Sequence, residues 1–383
     1  MIDDSHNLRV LLAVRQDLLQ CPGGDTVQVI NTARQLEQLG VEVVISADCL
    51  MDLSTFDCVH LWNLERVHET YVHMTNARSQ GKCMVLSPIY WTNAGSAATL
   101  RRIQPWRLRP THENAKNVYR YLQARSTSER RAIGLALRRG WARCRREILD
   151  SVGAILPNSQ AEARLLAAQA PPGARIFAVP NGVDPELCRR METFDFDPPP
   201  RRSGVLCVAH FDVRKNQLRL IEALRDTDIQ VTFVGRPRRM HEGYFRRCLL
   251  RAGPYMKFLG LRNYEEVLQL MLYSKVHVCP SHFETPGLAS LEAAALGCRL
   301  ALGDCPPVRE YFQDHAVYFA SRDVAAIRRG VLAALDAPPA KSLPRRVLDN
   351  FTWMHAAKAT LGAYRAVLGR NHRNENHASL PAI

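Results

Sequence analysis

The stretch Cys279-Pro280-Ser281-His282-Phe283-Glu284-Thr285-Pro286-Gly287-Leu288-Ala289-Ser290-Leu291-Glu292-Ala293-Ala294-Ala295-Leu296-Gly297 carries the clearest structural pattern in the chain. It begins on a short apolar strand, passes through a polar loop and enters a helix whose apolar residues recur at helical spacing. Thr285 fits the N-cap, Pro286 the first helical position and Gly297 the C-cap. The stretch therefore predicts a strand, a loop and a helix in succession.

The start of this helix has the features of an anion site flanked by two acids. Gly287 leaves the first turn bare, so that an anion can approach free N–H groups and the positive end of the helix dipole. Glu284 and Glu292 stand eight residues apart on either side of it. Carboxylates accept hydrogen bonds from sugar or ribose hydroxyls, so the pattern indicates recognition of a phosphate with hydroxyl groups nearby. The alternative is a structural unit with two solvated acids.

This stretch resembles the Glu-x7-Glu signature of the family 4 retaining glycosyltransferases, including its Gly287-Leu288 pair. The resemblance implies the GT-B fold, in which two Rossmann-like β/α/β domains face a cleft and a C-terminal helix crosses back to the first domain. It also implies that Glu284 contacts the donor sugar and that Glu292 contacts the ribose of the nucleotide.

A second motif precedes Asn216, which fits the N-cap of a helix over 217–224. It resembles the family's Gly-Arg-Leu…Lys-Asn motif, with Lys215 at the lysine that holds the donor pyrophosphate. His210 stands where the family has an arginine. Arg214 is a candidate for the missing charge, although the family does not imply this role.

The N-terminal half begins with a βαβ unit. Leu8–Val14 is an apolar strand, Gly23 and Gly24 form a glycine loop, and Asp25 and Gln28 fit a capping box at the start of a helix. Such loops lie at the carboxyl edge of a parallel sheet, where ligands bind. By resemblance, this is the family's glycine loop that approaches the donor phosphate and the acceptor.

One departure from the family follows the strand Cys83–Leu86. Many relatives have a histidine there that touches the donor sugar, and this chain has Ser87-Pro88-Ile89-Tyr90-Trp91 instead. Tyr90 and Trp91 are candidates for stacking on a sugar face, but two aromatic residues after a strand more often pack in the core.

The positive charge of the chain is concentrated in one segment. The net charge is +14, and residues 101–146 contain thirteen arginines and one lysine against two acids. A basic amphipathic helix is expected over 126–149, and such a helix binds anionic membrane surfaces or anionic acceptors. Nucleic-acid binding and a simple solvated face are the alternatives. The candidate surface residues are Arg130, Arg131, Arg138, Arg139, Arg145 and Arg146.

Composition limits the remaining classes of protein. No apolar run reaches the ~18–20 residues of a membrane span, and the polar, acidic N-terminus does not fit a signal peptide. The eleven cysteines have no metal-ligand spacing, which favours reduced thiols and no metal site. We expect a cytoplasmic protein, attached peripherally to the inner face of the membrane if the basic segment binds lipid.

The expected domains are residues 1–185 for the acceptor-side domain, 186–203 for a linker, 204–355 for the nucleotide-sugar domain, 356–369 for the crossover helix and 370–383 for a disordered tail. The function predicted from the resemblance is metal-independent, retaining transfer of a sugar from a UDP- or GDP-linked donor, without a further cofactor. A lipid-linked or polysaccharide precursor is the favoured acceptor, and no nucleic-acid partner is expected. A glycosyltransferase with a soluble acceptor and a non-catalytic binding protein for nucleotide sugars or anionic polymers remain alternatives.

Overall fold

The computed structural model describes residues 7–90, 118–119, 121–122, 124, 126–184, 186, 202–238, 241–339 and 341–369. These described residues form two compact units, one drawn from the ranges 1–180 and 353–383, and the other from the range 181–352. The predicted linker lies mostly outside the described residues, as does the predicted disordered tail. Each unit is an α/β structure around a parallel sheet, so the predicted fold class is confirmed.

The first unit contains a five-stranded sheet in the order β2-β1-β3-β4-β5. The bounds of its described elements are β1 Arg9–Ala13, α1 Gly24–Gln38, β2 Glu42–Ser46, β3 Cys58–Trp62, α2 Val67–Ser79, β4 Cys83–Ser87, α3 Thr127–Arg139, α4 Trp141–Ser151, β5 Ala154–Ile155 and α5 Gln160–Ala167. Strands β1, β3 and β4 are almost wholly buried because helices cover the sheet on both faces.

The second unit contains a six-stranded sheet in the order β11-β10-β9-β6-β7-β8. Its elements are β6 Ser203–Val208, α6 Gln217–Leu224, β7 Val231–Val234, α7 Glu242–Arg251, β8 Met256–Phe258, α8 Tyr264–Tyr273, β9 Ser274–Cys279, α9 Leu288–Ala295, β10 Arg299–Gly303, α10 Pro306–Phe312, β11 Ala316–Phe319, α11 Val324–Asp336 and α12 Leu343–Asn350. Every strand pair is parallel. The loops that follow the strands therefore emerge at one edge of the sheet.

The last described helix, α13 (Trp353–Leu368), returns to the first unit. Its Tyr364 is fully buried, and the Tyr364 hydroxyl lies 2.7 Å from His60 Nδ1 on β3. The other ring nitrogen of His60 lies 2.9 Å from Ser87 Oγ. Burial lowers the pKa of His60 to about 3, so the ring is neutral. In a neutral ring one nitrogen donates and the other accepts, and here each has a hydroxyl partner.

The predicted basic helix over 126–149 is two helices. Gly140 separates α3 from α4 and has a φ of +83°, a conformation that glycine adopts without strain. The apolar residues of both helices, including Ala136, Cys144 and Ile148, are buried in the core of the first unit with Tyr71 of α2. None of the described helices is long and apolar enough to cross a membrane.

Candidate functional site

The two predicted motifs of the second unit meet at the carboxyl edge of its sheet. Strands β6 and β9 are hydrogen-bonded neighbours, so the loops that follow them lie side by side. Lys215 belongs to the loop after β6 and Glu284 to the loop after β9, and the Lys215 Nζ forms an ion pair with Glu284 Oε1. The two side chains are 19% and 13% exposed. The structure thus brings together two residues that stand 69 positions apart in sequence.

Neighbouring charges keep Glu284 ionised. Burial by itself would raise the pKa of Glu284, but the positive charges of Lys215 and Arg214, with hydrogen bonds from Lys215 and Ser281, lower it below its usual range. The Arg214 guanidinium lies 5.5 Å from the centre of the Phe283 ring, a cation–π arrangement that directs it toward the same loop. The site therefore holds one carboxylate and two cations at neutral pH.

Helix α9 begins beside this ion pair. Its N-cap is Gly287 rather than the predicted Thr285, so the prediction placed the start of the helix two residues too early. Gly287 has a φ of +91°, and a Cβ atom there would lie 3.6 Å from Glu284 Cγ and 3.3 Å from Ser290 Oγ. Glycine alone meets both demands readily. Leu288 opens the helix and is half-buried, and Gly297 follows the C-cap Leu296 with a φ of +77°.

Glu292, one turn further along α9, has the opposite electrostatic character. Burial raises the pKa of Glu292 to about 7, while a hydrogen bond with the Tyr264 hydroxyl acts in the lowering direction. Glu284 is therefore ionised at pH 7, whereas Glu292 is poised between its two protonation states. Two carboxyl groups of one motif thus have pKa values displaced to opposite sides of the usual range, a feature of functional sites.

His210 lies at the same edge of the sheet, two residues after β6. Its backbone carbonyl accepts a hydrogen bond of 2.9 Å from the side chain of Gln217 in α6. The side chain is half-buried. His210 therefore belongs to the same loop after β6 as Lys215.

The glycine loop of the first unit is held by a residue that the sequence analysis missed. Arg15 is 7% exposed, and its guanidinium contacts both carboxylate oxygens of Asp25, at 2.6 and 3.1 Å. It also donates to the carbonyl oxygens of Asp17 and Cys21, at 2.9 and 2.8 Å. Arg15 therefore fastens the loop before Gly23 to the first turn of α1. An arginine directly after a buried strand was the only sequence signal for it.

The predicted capping box of α1 is wrong. The N-cap is Gly23, whose N–H donates to Thr26 Oγ1 at 3.0 Å. Asp25 binds Arg15 instead of capping the helix. Gln28 donates to Asn158 Oδ1 at 2.8 Å, a contact within the core that sequence spacing does not reveal. Gly24 is the first residue of the helix.

Tyr90 is not available for stacking on a sugar. It is 4% exposed, and its hydroxyl accepts a hydrogen bond of 2.6 Å from Arg145. The Arg145 guanidinium lies 5.0 Å from the centre of the Tyr90 ring and 4.8 Å from that of Trp141. Trp91 lies outside the described residues. The structure favours packing over sugar contact for Tyr90.

The same contacts correct the predicted basic surface. Arg145 points inward and is half-buried, so it does not belong to that surface. The exposed members are Arg130, Arg131, Arg138, Arg139 and Arg146. Two of these form ion pairs, Arg139 with Glu147 and Arg146 with Asp150. A smaller set of arginines therefore faces solvent.

Comparison with known proteins agrees with this geometry. Residues 191–348 match the family model of glycosyl transferases group 1, which confirms the predicted family over the part of the chain that carries Lys215, Glu284 and Glu292. A glycogen synthase of Mycobacterium tuberculosis is 33% identical over 117 residues, which are 29% of this chain and 28% of the relative. The chain thus aligns with less than a third of that relative's length.

Several solved structures share the fold over nearly the whole chain. Sucrose-phosphate synthase from Thermosynechococcus elongatus has a TM-score of 0.68 at 15% identity, covering 96% of this chain and 100% of its own. HepE of Anabaena, solved with UDP and glucose, has a TM-score of 0.55 at 14% identity, covering 95% and 98%. The catalytic domain of starch synthase IV from Arabidopsis thaliana, solved with ADP and acarbose, has a TM-score of 0.61 at 12% identity, covering 96% and 100%. These likenesses establish the fold.

Replacement of Lys215 by methionine should make stability strongly dependent on pH. In the wild type the pKa of Glu284 is lower in the folded than in the unfolded protein. The ionised, paired carboxylate therefore stabilises the fold above the unfolded-state pKa, and this stabilisation is lost as the pH falls through the lowered pKa. In Lys215→Met the ammonium is absent, so burial predominates and raises the pKa of Glu284; the variant is then most stable with a protonated Glu284, and its stability falls as the pH rises through the raised pKa. The free energy of unfolding should then fall by about 3 kcal/mol relative to wild type at pH 8, and by much less near pH 4.

Denaturant unfolding across this pH range measures the effect. The control is the double variant Lys215→Met, Glu284→Gln, which lacks the titrating carboxyl group. Its free energy of unfolding should vary with pH as that of the wild type does at high pH, without the additional loss expected for Lys215→Met. A Lys215→Met variant whose deficit is constant from pH 4 to pH 8 would show that the ion pair does not govern the ionisation of Glu284.

Proposed function

We propose, on the premise that residues 191–348 belong to the glycosyl transferases group 1, that this protein is a retaining glycosyltransferase that uses a nucleotide-sugar donor. The observation that supports it most directly is the Lys215–Glu284 ion pair beside the bare, glycine-capped start of α9. This arrangement places the cations of the loop after β6, the Glu284 carboxylate and the N-terminal end of α9 together at one edge of the sheet. Such a set suits a diphosphate that is attached to a sugar.

The donor diphosphate is the leaving group in this reaction. By resemblance to the family, Lys215 binds the pyrophosphate, and Arg214 and the N-terminal end of α9 add positive potential. The bond between the anomeric carbon and the diphosphate oxygen breaks, and negative charge grows on the diphosphate as it departs. Fixed cations stabilise this charge in the transition state more than in the ground state. We propose that they do so without a metal ion.

The two carboxyl groups serve the two hydroxyl-bearing parts of the donor. Glu284 is ionised and accepts hydrogen bonds from sugar hydroxyls, and Glu292 accepts them from the ribose. The acceptor hydroxyl forms the new bond to the anomeric carbon from the leaving-group side, which retains configuration. Its proton passes to the departing diphosphate. This scheme uses no protein nucleophile.

The ligands of the solved neighbours guide the choice of donor nucleotides to test. HepE was solved with UDP and with UDP-glucose, and starch synthase IV with ADP. Adenine therefore joins uracil and guanine among the bases to be tested. The glycine loop with Gly23 and Gly24 is the proposed contact of the first unit with substrate.

We propose an anionic acceptor, such as a lipid-linked sugar diphosphate or a polysaccharide precursor at the cytoplasmic membrane face. The exposed arginines of α3 and α4 support this proposal through charge alone, because the apolar sides of both helices are buried in the core. Binding to a membrane would then be electrostatic, without insertion of an apolar face. That same burial favours the second candidate, a transferase whose acceptor is a soluble anionic sugar.

A thermal-shift screen with UDP, GDP and ADP and their glucose esters tests donor binding. A ligand present at ~100 times its Kd adds roughly 2.7 kcal/mol to the apparent stability. We expect one nucleotide to stabilise the wild type in the presence of EDTA, and the response to vanish in Lys215→Ala and in Glu292→Ala. Arg329→Ala, an exposed change elsewhere in the second unit, should keep the response. Absence of any response in the wild type would overturn the proposed function.

The affinity for the donor should depend on pH through Glu292. The ionised carboxylate accepts hydrogen bonds from both ribose hydroxyls through its two oxygens, whereas in the protonated group one oxygen becomes a donor, and the pKa of this group is about 7. Protonation therefore competes with binding, and Kd for the sugar nucleotide should rise about tenfold for each pH unit below 7. Isothermal titration calorimetry between about pH 5.5 and 8.5 measures this slope. A sugar nucleotide is the right titrant, since it lacks the terminal phosphate whose second pKa is about 6.

The matched variant for this experiment is Glu292→Gln, which keeps the size of the side chain and removes its titration. It should bind weakly at every pH and show a flat profile. A wild-type profile as flat as that of the variant would contradict the role of Glu292.

Binding to anionic membranes should depend on the exposed arginines of α3 and α4. Reversal of Arg130, Arg131, Arg138 and Arg146 to glutamate should weaken binding to vesicles of phosphatidylglycerol by more than tenfold, because each basic residue contributes about 1 kcal/mol near the surface. Vesicle co-sedimentation at low and high salt measures it. The control reverses Arg225, Arg251, Arg329 and Arg345, exposed arginines of the second unit with the same total charge change. Equal losses in both variants would indicate a non-specific charge effect.

A further inference from the structure

Asn216 stands at the N-cap of α6, but its side chain does not cap that helix. Its φ and ψ are 62° and 24°, the left-handed conformation, which is unfavourable for an ordinary residue and which asparagine tolerates better than most. The residue is 4% exposed. A buried polar side chain in an unfavourable backbone conformation requires compensating contacts.

The compensating contacts run to two other loops of the same sheet edge. Asn216 Nδ2 donates to the carbonyl oxygen of Pro280 at 2.9 Å and to that of Ser321 at 2.7 Å. An amide nitrogen carries two hydrogens, so both are used. Pro280 follows β9 and Ser321 follows β11, whereas Asn216 itself follows β6. One side chain therefore joins three loops that are far apart in sequence.

Lys215 is the neighbour of this junction, and its main chain is fixed on both sides. Its N–H lies 2.9 Å from Asp212 Oδ1 and 3.1 Å from the Asp212 carbonyl oxygen, which closes a tight turn over 212–215. The carbonyl of Arg214 accepts a hydrogen bond of 3.0 Å from the N–H of His282. The turn that carries Lys215 is thus attached to the loop that carries Glu284 at two points.

We propose that Asn216 is a positioning residue for the donor diphosphate, because its two hydrogen bonds set the place of the Lys215 ammonium relative to Glu284 and the start of α9. A lysine side chain is long and has many accessible rotamers, so its charge is directed only if its backbone is fixed. This inference rests on the proposed function, since it assigns to Asn216 the placement of the group that would bind the diphosphate.

A purely structural role for Asn216 makes a different prediction. In that case its loss lowers the melting temperature but leaves the affinity for nucleotide unchanged well below that temperature. A positioning role changes the affinity of the folded protein. The two are separated by a control variant that loses a comparable amount of stability elsewhere.

The chain provides such a control in Gln80, whose side chain accepts a hydrogen bond of 2.8 Å from the N–H of Leu53 and donates one of 3.1 Å to the carbonyl oxygen of Met51. Gln80 follows α2 and precedes β4, so it lies at the amino edge of the first sheet, away from the glycine loop at the carboxyl edge. Replacement of Asn216 by glycine keeps the left-handed backbone accessible and removes only the side chain, and Gln80→Gly removes these side-chain hydrogen bonds elsewhere.

The experiment is isothermal titration calorimetry of UDP, GDP and ADP with wild type, Asn216→Gly and Gln80→Gly, well below the melting temperature of each. We expect Asn216→Gly to raise Kd at least about tenfold for the nucleotide that binds wild type, and Gln80→Gly to keep the wild-type Kd. An unchanged Kd in Asn216→Gly overturns the inference and leaves the proposed function standing. Failure of all three nucleotides to bind the wild type overturns the proposed function itself.

A second variant covers the case in which Asn216→Gly does not fold. Asp212→Ala removes the Oδ1 acceptor of the Lys215 N–H and leaves both hydrogen bonds of Asn216 in place. It should raise Kd in the same direction by a smaller factor. A wild-type Kd in this variant would count against a positioning role for the turn.

Discussion

Two opposite charges that are largely removed from water, Lys215 and Glu284, constrain the carboxyl edge of the second sheet. Each would cost several kcal/mol to bury alone, and the cost is offset only when the partners meet with good geometry. That geometry exists because β6 and β9 are neighbours and because Asn216 joins the loops that follow them. In the proposed reaction the donor diphosphate takes the place of Glu284 as the partner of Lys215, which frees the carboxylate for the sugar.

The sequence predicted the elements of this site better than their contacts. Buried strands such as β1 are apolar runs, and the motifs pointed to Lys215 and to Glu284. The ion pair between them was not predicted, because it depends on which strands are adjacent. The start of α9 was misplaced since threonine and proline give a good local N-cap signal. The chain instead turns at Gly287, whose positive φ and close contact with Glu284 are set by the surrounding loop.

The basic segment shows a second limit of sequence patterns. Helical periodicity correctly identified an apolar and a basic side over α3 and α4, but it does not tell what covers the apolar side. In the structure the core of the first unit covers it, with Tyr71 among the contacts. One arginine of the pattern, Arg145, serves that packing by lying against Tyr90 and Trp141. The exposed arginines are then the groups of these helices that remain for binding, so attachment to a membrane would be electrostatic and sensitive to salt.

Two helices with a glycine N-cap, α1 and α9, differ in their capacity to bind an anion. The first turn of α1 contains Asp25, whose carboxylate accepts the Thr26 N–H at 3.0 Å and is neutralised by Arg15. The first turn of α9 contains no acid, and its nearest carboxylate, Glu284, is already paired with Lys215. A diphosphate therefore meets less repulsion at the start of α9 than at the start of α1. This difference supports assignment of the donor to the second unit. Arg15 also has a second role beyond anchoring its loop, because without Arg15 the charge of Asp25 would repel any phosphate that approached Gly23 and Gly24.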